Sequence, residues 1–168
     1  LLLYYNMGNT NVNGIAQMRS HDDTKVLGYI FLDESGNKTR IYGELIGLPP
    51  GKHAMHIHEK GNPKKCCSGL GDHYNPFNKQ HGDRIAMDIY GNKQRHVGDL
   101  GNINIQNDGT CKFSFDDDMV KLCGQYSVLG RSIVIHEKED DLGLTNHPDS
   151  KKTGNSGKRI AYGIIGYA

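Results

Sequence analysis

Nine histidines are spread over this chain, at positions 21, 53, 56, 58, 73, 81, 96, 136 and 147, and their spacing is what could do chemistry. His56 and His58 stand two apart in His53–Glu59 (HAMHIHE), a stretch that reads as a strand, so both imidazoles point to one face and can chelate one ion. His73, His81, His96 and Asp99 then follow in a single polar stretch. Three imidazoles and a carboxylate are the donor set of a closed tetrahedral zinc site. His136 lies in a further strand-like run, Ile133-Val134-Ile135-His136-Glu137. Taken singly, each feature has a plainer reading, as polar strand residues or histidines gathered by a long loop. Together they make seven candidate ligands on two strands and one loop, and an imidazole-rich set suits copper or zinc rather than magnesium or calcium.

The elements that must position these ligands are strands. Apolar residues recur at period two far more often than at 3.6, and no segment of ten or more residues shows a helical stripe. Val26–Asp33 and Thr39–Ile46 flank the turn cluster Glu34-Ser35-Gly36-Asn37 and read as a hairpin. Asn102–Ile105 and Cys111–Phe115 flank Asn107-Asp108-Gly109 and read as a second. Gly14–Arg19, Ser132–Glu137 and Arg159–Tyr167 supply further strands. Two long excursions, 60–100 and 138–158, are rich in Gly, Asn, Asp, Lys and Pro, and loops of that length are usually functional or disordered. The expectation is an all-β chain: a Greek-key β-sandwich or flattened eight-stranded barrel with two long functional loops. Residues 1–10, which open Leu1-Leu2-Leu3-Tyr4-Tyr5, read as a tail, and 11–168 as a single domain.

Composition narrows the function classes. The chain has 168 residues and 22 glycines, about 13% against a usual ~7%, as expected of a loop-rich β fold. No apolar run approaches the ~18 residues of a membrane span. Twenty basic residues against 19 acidic leave a formal charge of +1, so neither nucleic acid nor a membrane surface is expected as a partner. The apolar run at residues 1–5 has no basic region before it, unlike a secretory leader, and the expected compartment is the cytoplasm.

Longer motifs surround the ligands: His56-Ile57-His58-Glu59, His73-Tyr74-Asn75-Pro76, His81-Gly82 and Arg95-His96-Val97-Gly98-Asp99-Leu100-Gly101-Asn102. Gly130-Arg131-Ser132, His136-Glu137-Lys138, Asp140-Asp141-Leu142-Gly143, Lys152-Thr153-Gly154-Asn155, Arg159 and Gly163-Ile164-Ile165-Gly166 follow. The set closely resembles copper/zinc superoxide dismutase over residues 14–168, most strongly from 51 onward. That resemblance implies dismutation of superoxide to dioxygen and hydrogen peroxide. It makes His56, His58, His73 and His136 copper ligands, and His73, His81, His96 and Asp99 zinc ligands, with His73 bridging the two ions. It implies that Asp140 links a copper ligand to a zinc ligand, that Arg159 orients the anion with Lys138 and Lys152 adding field, and that Thr153 forms channel wall. It also implies a homodimer, with Ile164, Tyr167 and the Gly130 turn near the interface, and a copper-delivery protein as partner.

The chain departs from the family pattern at two places. Cys67 matches the loop cysteine of the family's usual disulfide, but Tyr162 stands at the partner position, so no disulfide is expected. His81 and His96 are also further apart than usual, with Arg84–Tyr90 inserted, a segment that alternates like a strand. The competing reading is an inactive superoxide-dismutase-like metal carrier or chaperone domain. Such domains tend to lack part of the copper set or the arginine, whereas His136 and Arg159 are both here.

Overall fold

A computed structural model describes residues 12–64 and 68–168. The tail expected at 1–10 and Cys67 lie outside the described residues. Eight strands form in the stretches where alternation predicts them: β1 Val12–Ser20, β2 Val26–Ser35, β3 Lys38–Leu45, β4 Gly51–His58, β5 Asp99–Ile105, β6 Cys111–Asp117, β7 Ser132–His136 and β8 Arg159–Tyr167. Every pairing is antiparallel, in the order β5-β4-β7-β8-β1-β2-β3-β6. The neighbours β4–β7 and β3–β6 are far apart in sequence, which is the Greek-key crossover. β5 and β6, the two ends of the order, are joined by the 106–110 turn, so the sheet curls into a nearly closed barrel. The all-β expectation holds. Among the described residues helix is confined to a 3₁₀ turn, Ser68–Leu70, and one α turn, α1 Ser150–Thr153.

The core fills the barrel with inward side chains of alternating residues, among them Ile30, Leu32, Ile41, Met55, Ile57, Ile133, Ile135 and Ile165. Burial of that kind contributes about 1.5–3 kcal/mol per large aliphatic side chain. β2 and β3 alternate as strands with one wet face do. β4 does not: His53 through His58 are all buried, and so are all five residues of β7. Met55 and Ile57 face the core, so His56 and His58 must lie under something on the other face. That cover is the pair of long loops. The first is laced to β4 by Tyr74 N–H donating to Ile57 O and Ile57 N–H donating to Gly98 O, both at 2.8 Å.

The inserted segment departs from its strand-like pattern. It forms only an isolated bridge, Met87 with Lys93, around a tip held by Asp88. The Asp88 carboxylate accepts from the Tyr90 and Asn92 amides at 2.9 Å each, and from the Asn92 and Gln94 side chains at 3.1 Å each.

Candidate metal centre

β4 supplies His56 and His58, β7 ends on His136, and the first long loop returns His73 against His58 as an isolated bridge. The four side chains bring one ring nitrogen each to within 4.8 Å of one another, all buried. Their outward nitrogens are already engaged. His58 Nδ1 donates to Gly71 O at 2.9 Å and His136 Nδ1 to Gly157 O at 3.1 Å, while His56 Nε2 donates to Asp140 Oδ2 at 2.8 Å. Those bonds leave His56 Nδ1 and His73 Nε2 buried without a partner, and turn His58 Nε2 toward His136 Nε2 at 3.3 Å. Fixing the outer nitrogen is how proteins aim the inner one at a metal.

A second set gathers around one oxygen. Asp99 Oδ1 lies 3.0 Å from His73 Nδ1, 3.1 Å from His96 Nδ1 and 2.9 Å from His81 Nδ1. The His81 contact is near enough for an ion pair but lies outside hydrogen-bond geometry, so that nitrogen too is unpartnered. The other carboxylate oxygen, Oδ2, accepts the backbone N–H of His96 at 2.9 Å and of Gly82 at 3.2 Å. The two sets abut through His73, whose ring centroid is 4.0 Å from that of His56. At that separation His56, His73, His81 and Asp99 also offer four atoms within 4.8 Å, a grouping that takes His56 in place of His96.

Asp140 couples the two halves. Its Oδ2 takes His56 and its Oδ1 takes His81 Nε2 at 2.7 Å and the Leu142 amide at 2.7 Å. Asn102 on β5 in turn holds the Asp140 backbone, accepting its N–H at 2.7 Å and donating to its O at 3.0 Å. Gly154 packs against this carboxylate in a left-handed conformation, φ 67°, where a Cβ would collide with Asp140 Oδ1 and His81 Nε2.

The electrostatics follow from burial and charge. Burial, reinforced by the His73 ring, holds His56 and His58 well below the ordinary histidine pKa, and burial takes His136 down to about 4. These imidazoles are neutral and ready to ligate at neutral pH. At His81, burial opposes the cation, but Asp140 and Asp99 outweigh it and raise the pKa to about 9. Burial likewise works against the Asp99 carboxylate, and the His73, His81 and His96 rings gathered on it overcome it and hold the pKa well below the carboxylate range. The Asp99 side therefore stabilises positive charge, which a divalent ion supplies.

A cavity of about 550 Å³ opens onto His58, His73 and His136 and is lined further by Thr153, Lys152 and Arg159. Arg159 Nη2 donates to Gly71 O at 2.5 Å. Lys152 belongs to this wall and Lys138 does not, while Glu59 and Asp72 add acidic groups to it. His21 and His147 stand apart from the ligand clusters. His53 is buried behind them, its Nδ1 2.8 Å from the carbonyl of His136.

A family profile described as copper/zinc superoxide dismutase (SODC) matches residues 26–165. The chain belongs to that family. It is 47% identical to an extracellular Cu-Zn superoxide dismutase of Caenorhabditis elegans over 143 residues, 85% of this chain but 62% of the length of that relative. It is 44% identical to one of Drosophila melanogaster, covering 86% and 78%, and 42% identical to a Cu-Zn superoxide dismutase of Onchocerca volvulus, covering 92% and 96%. The crystal structure of the clock protein EA4 superposes with a TM-score of 0.84 at 38% identity, covering 96% of this chain and 98% of that one.

Copper and zinc are the metals of this superoxide dismutase family, and the donors fit both. Three or four neutral imidazole nitrogens beside an open cavity suit copper, and an imidazole and carboxylate set suits zinc. Reading the sequence residue by residue missed Arg95, Asn102 and the carbonyls of Gly71 and Gly157. Arg95 stands beside His96 in a polar loop, yet its side chain is fully buried, and single-sequence spacing gives no sign of that.

Proposed function

We propose that this family member dismutes superoxide, with His56, His58, His73 and His136 holding copper and His73, His81, His96 and Asp99 holding zinc within one domain spanning 11–168. The observation that carries the reading is the pair of unpartnered nitrogens on His56 and His73, aimed at the same point as His58 and His136. Copper, when bound, supplies a one-electron couple, and zinc, which has none, supplies charge and shape. The chain's own residues do the rest. Arg159 binds and orients a small anion at the cavity mouth, Thr153 and Lys152 narrow the approach, and His73 Nε2 is the atom that takes up and returns a proton. A carrier or chaperone domain is not favoured, since such a domain has no use for a complete ligand set facing an open cavity that holds Arg159.

Partners follow from the same assignment: superoxide as substrate, a second copy of the chain and a copper-delivery protein. The names of the nematode and fly relatives favour secretion over the cytoplasm. Among the described residues no helix is long and apolar enough to cross a membrane. Metal analysis and superoxide consumption on protein loaded with both metals test the reading. One copper and one zinc per chain with rapid turnover is expected. Arg159→Ile should keep both metals and turn over roughly tenfold more slowly, the scale of local electrostatic focusing. Unchanged rates in that variant would remove Arg159 from the mechanism, and zinc without copper in the parent would overturn the reading.

A further inference from the structure

The loop that carries the Gly71 carbonyl has no expected disulfide to hold it, yet it is firmly seated. Lys60 N–H donates to Leu70 O and Glu59 N–H to Asp72 O, both at 2.9 Å, closing the loop on the end of β4. Arg131 Nη1 donates to Glu59 O at 2.7 Å and Ser132 Oγ to Lys60 O at 2.8 Å. The Leu70 side chain is fully buried in a small apolar cluster with Val134 and Tyr162, with Ile164 against it, on the outer face of the sheet away from the main core. Tyr162 is buried as well, its ring packed in that cluster and its hydroxyl donating to Asp23 Oδ1 of the β1–β2 turn at 2.9 Å. Tyr162 is the residue at the position where the family's second cysteine stands.

The next residue, Gly71, presents one carbonyl to two donors, the Arg159 guanidinium at 2.5 Å and His58 Nδ1 at 2.9 Å. Gly71 adopts φ 74°, and a Cβ there would run into the Glu59 carboxylate; the backbone bonds to Leu70 O and Asp72 O on either side of it set its carbonyl direction. We propose that Tyr162 and Leu70 form a noncovalent clamp that sets the Gly71 carbonyl and, through it, positions Arg159 and His58 for anion binding. Both are positioning residues, for neither lines the cavity. The inference rests on the anion-orienting role proposed above for Arg159.

Azide titration of the copper- and zinc-loaded protein, followed by its visible absorption and by copper electron paramagnetic resonance, tests the clamp without turnover. Tyr162→Ala and Leu70→Ala should each keep both metals and weaken azide binding by roughly 3–10-fold, with a changed resonance from the displaced His58. Tyr162→Phe keeps the ring and should stay within about twofold of the parent, and the double alanine variant should be no weaker than the worse single one, as coupled sites behave. If an alanine variant does not fold, Leu70→Val decides, with a smaller shift in the same direction. Alanine variants that bind azide as the parent does, with an unchanged resonance, overturn the clamp. A parent that binds azide but consumes no superoxide overturns the proposed function and leaves the clamp to be judged on the azide series.

Discussion

At the scale of single residues, the site is organised by what the histidines do with the ring nitrogen that points away from the cluster. Asp140 matters most, since it serves His56 on a strand and His81 on a loop with one carboxylate. An amide in its place keeps one acceptor and offers a donor to a ring N–H that also donates. β4 holds His56 against that mismatch through its sheet pairing, while His81 has only its loop. Asp140→Asn should therefore weaken zinc by about 10–100-fold, the usual effect of losing a partner that orients a ligand, and weaken copper less. Competition with a chromogenic chelator reads both affinities, and zinc binding equal to the parent's would refute the coupling. The buried histidine cluster is legible in the sequence because histidine pairs on a strand, and histidines gathered with an aspartate, are chemically specific. Asn102 was not, since its task is to hold the Asp140 backbone across 38 residues of chain.

Among elements, the first long loop is pinned by a buried arginine. Arg95 Nη1 donates to the carbonyls of His96, Val97 and Asp99 at 3.0–3.1 Å, Nε donates to Arg84 O at 3.1 Å, and Nη2 pairs with Asp117 Oδ2 at 2.6 Å. Asp117, at the end of β6, uses its other oxygen on the amides of Met119 and Val120 at 2.9 Å each. Both side chains of the pair are fully buried. Arg95→Met leaves an uncompensated carboxylate and several stranded carbonyls, and should cost about 3–5 kcal/mol, the penalty for breaking a buried pair from one side. Denaturant unfolding measures it; a loss below about 1 kcal/mol would show the pair to be dispensable. Strands such as β2 and β3 are legible because one-faced burial imposes period two, whereas β4 and β7, buried on both faces, show as short apolar and histidine runs. The apolar pattern places β5 from Asn102, yet it begins at Asp99, because a buried carboxylate breaks the alternation at the strand's start. The turn α1 is four residues, too short to show a period, and the inserted segment folds back on itself, bridging Met87 to Lys93 rather than joining the sheet. Tyr162 was visible as a departure, but its partner Leu70 was not, because nothing in one sequence couples residues so far apart.

For the whole molecule, a formal charge of +1 gives little long-range attraction for an anion, so guidance must come from the groups at the cavity mouth. Association is set by where apolar surface remains. Two places compete. One is the end of β8, where Tyr167 is 77% exposed and Ile164 half-buried, near the packed crossing of Gly61 on the Gly130 carbonyl. The other is the tip of the inserted segment, where Ile89 is 91% and Tyr90 82% exposed. A closed two-fold dimer needs one self-complementary patch, and the β8 end offers a rigid sheet face where the tip offers a narrow projection. Sedimentation equilibrium at micromolar concentration should give the mass of two chains. The double substitution Ile89→Ser with Tyr90→Ser should leave that mass unchanged, since the tip takes no part, while Tyr167→Lys should shift it toward one chain by placing like charges across the axis. A parent sedimenting as one chain would remove the dimer altogether, and a monomeric serine variant would move the interface to the insertion.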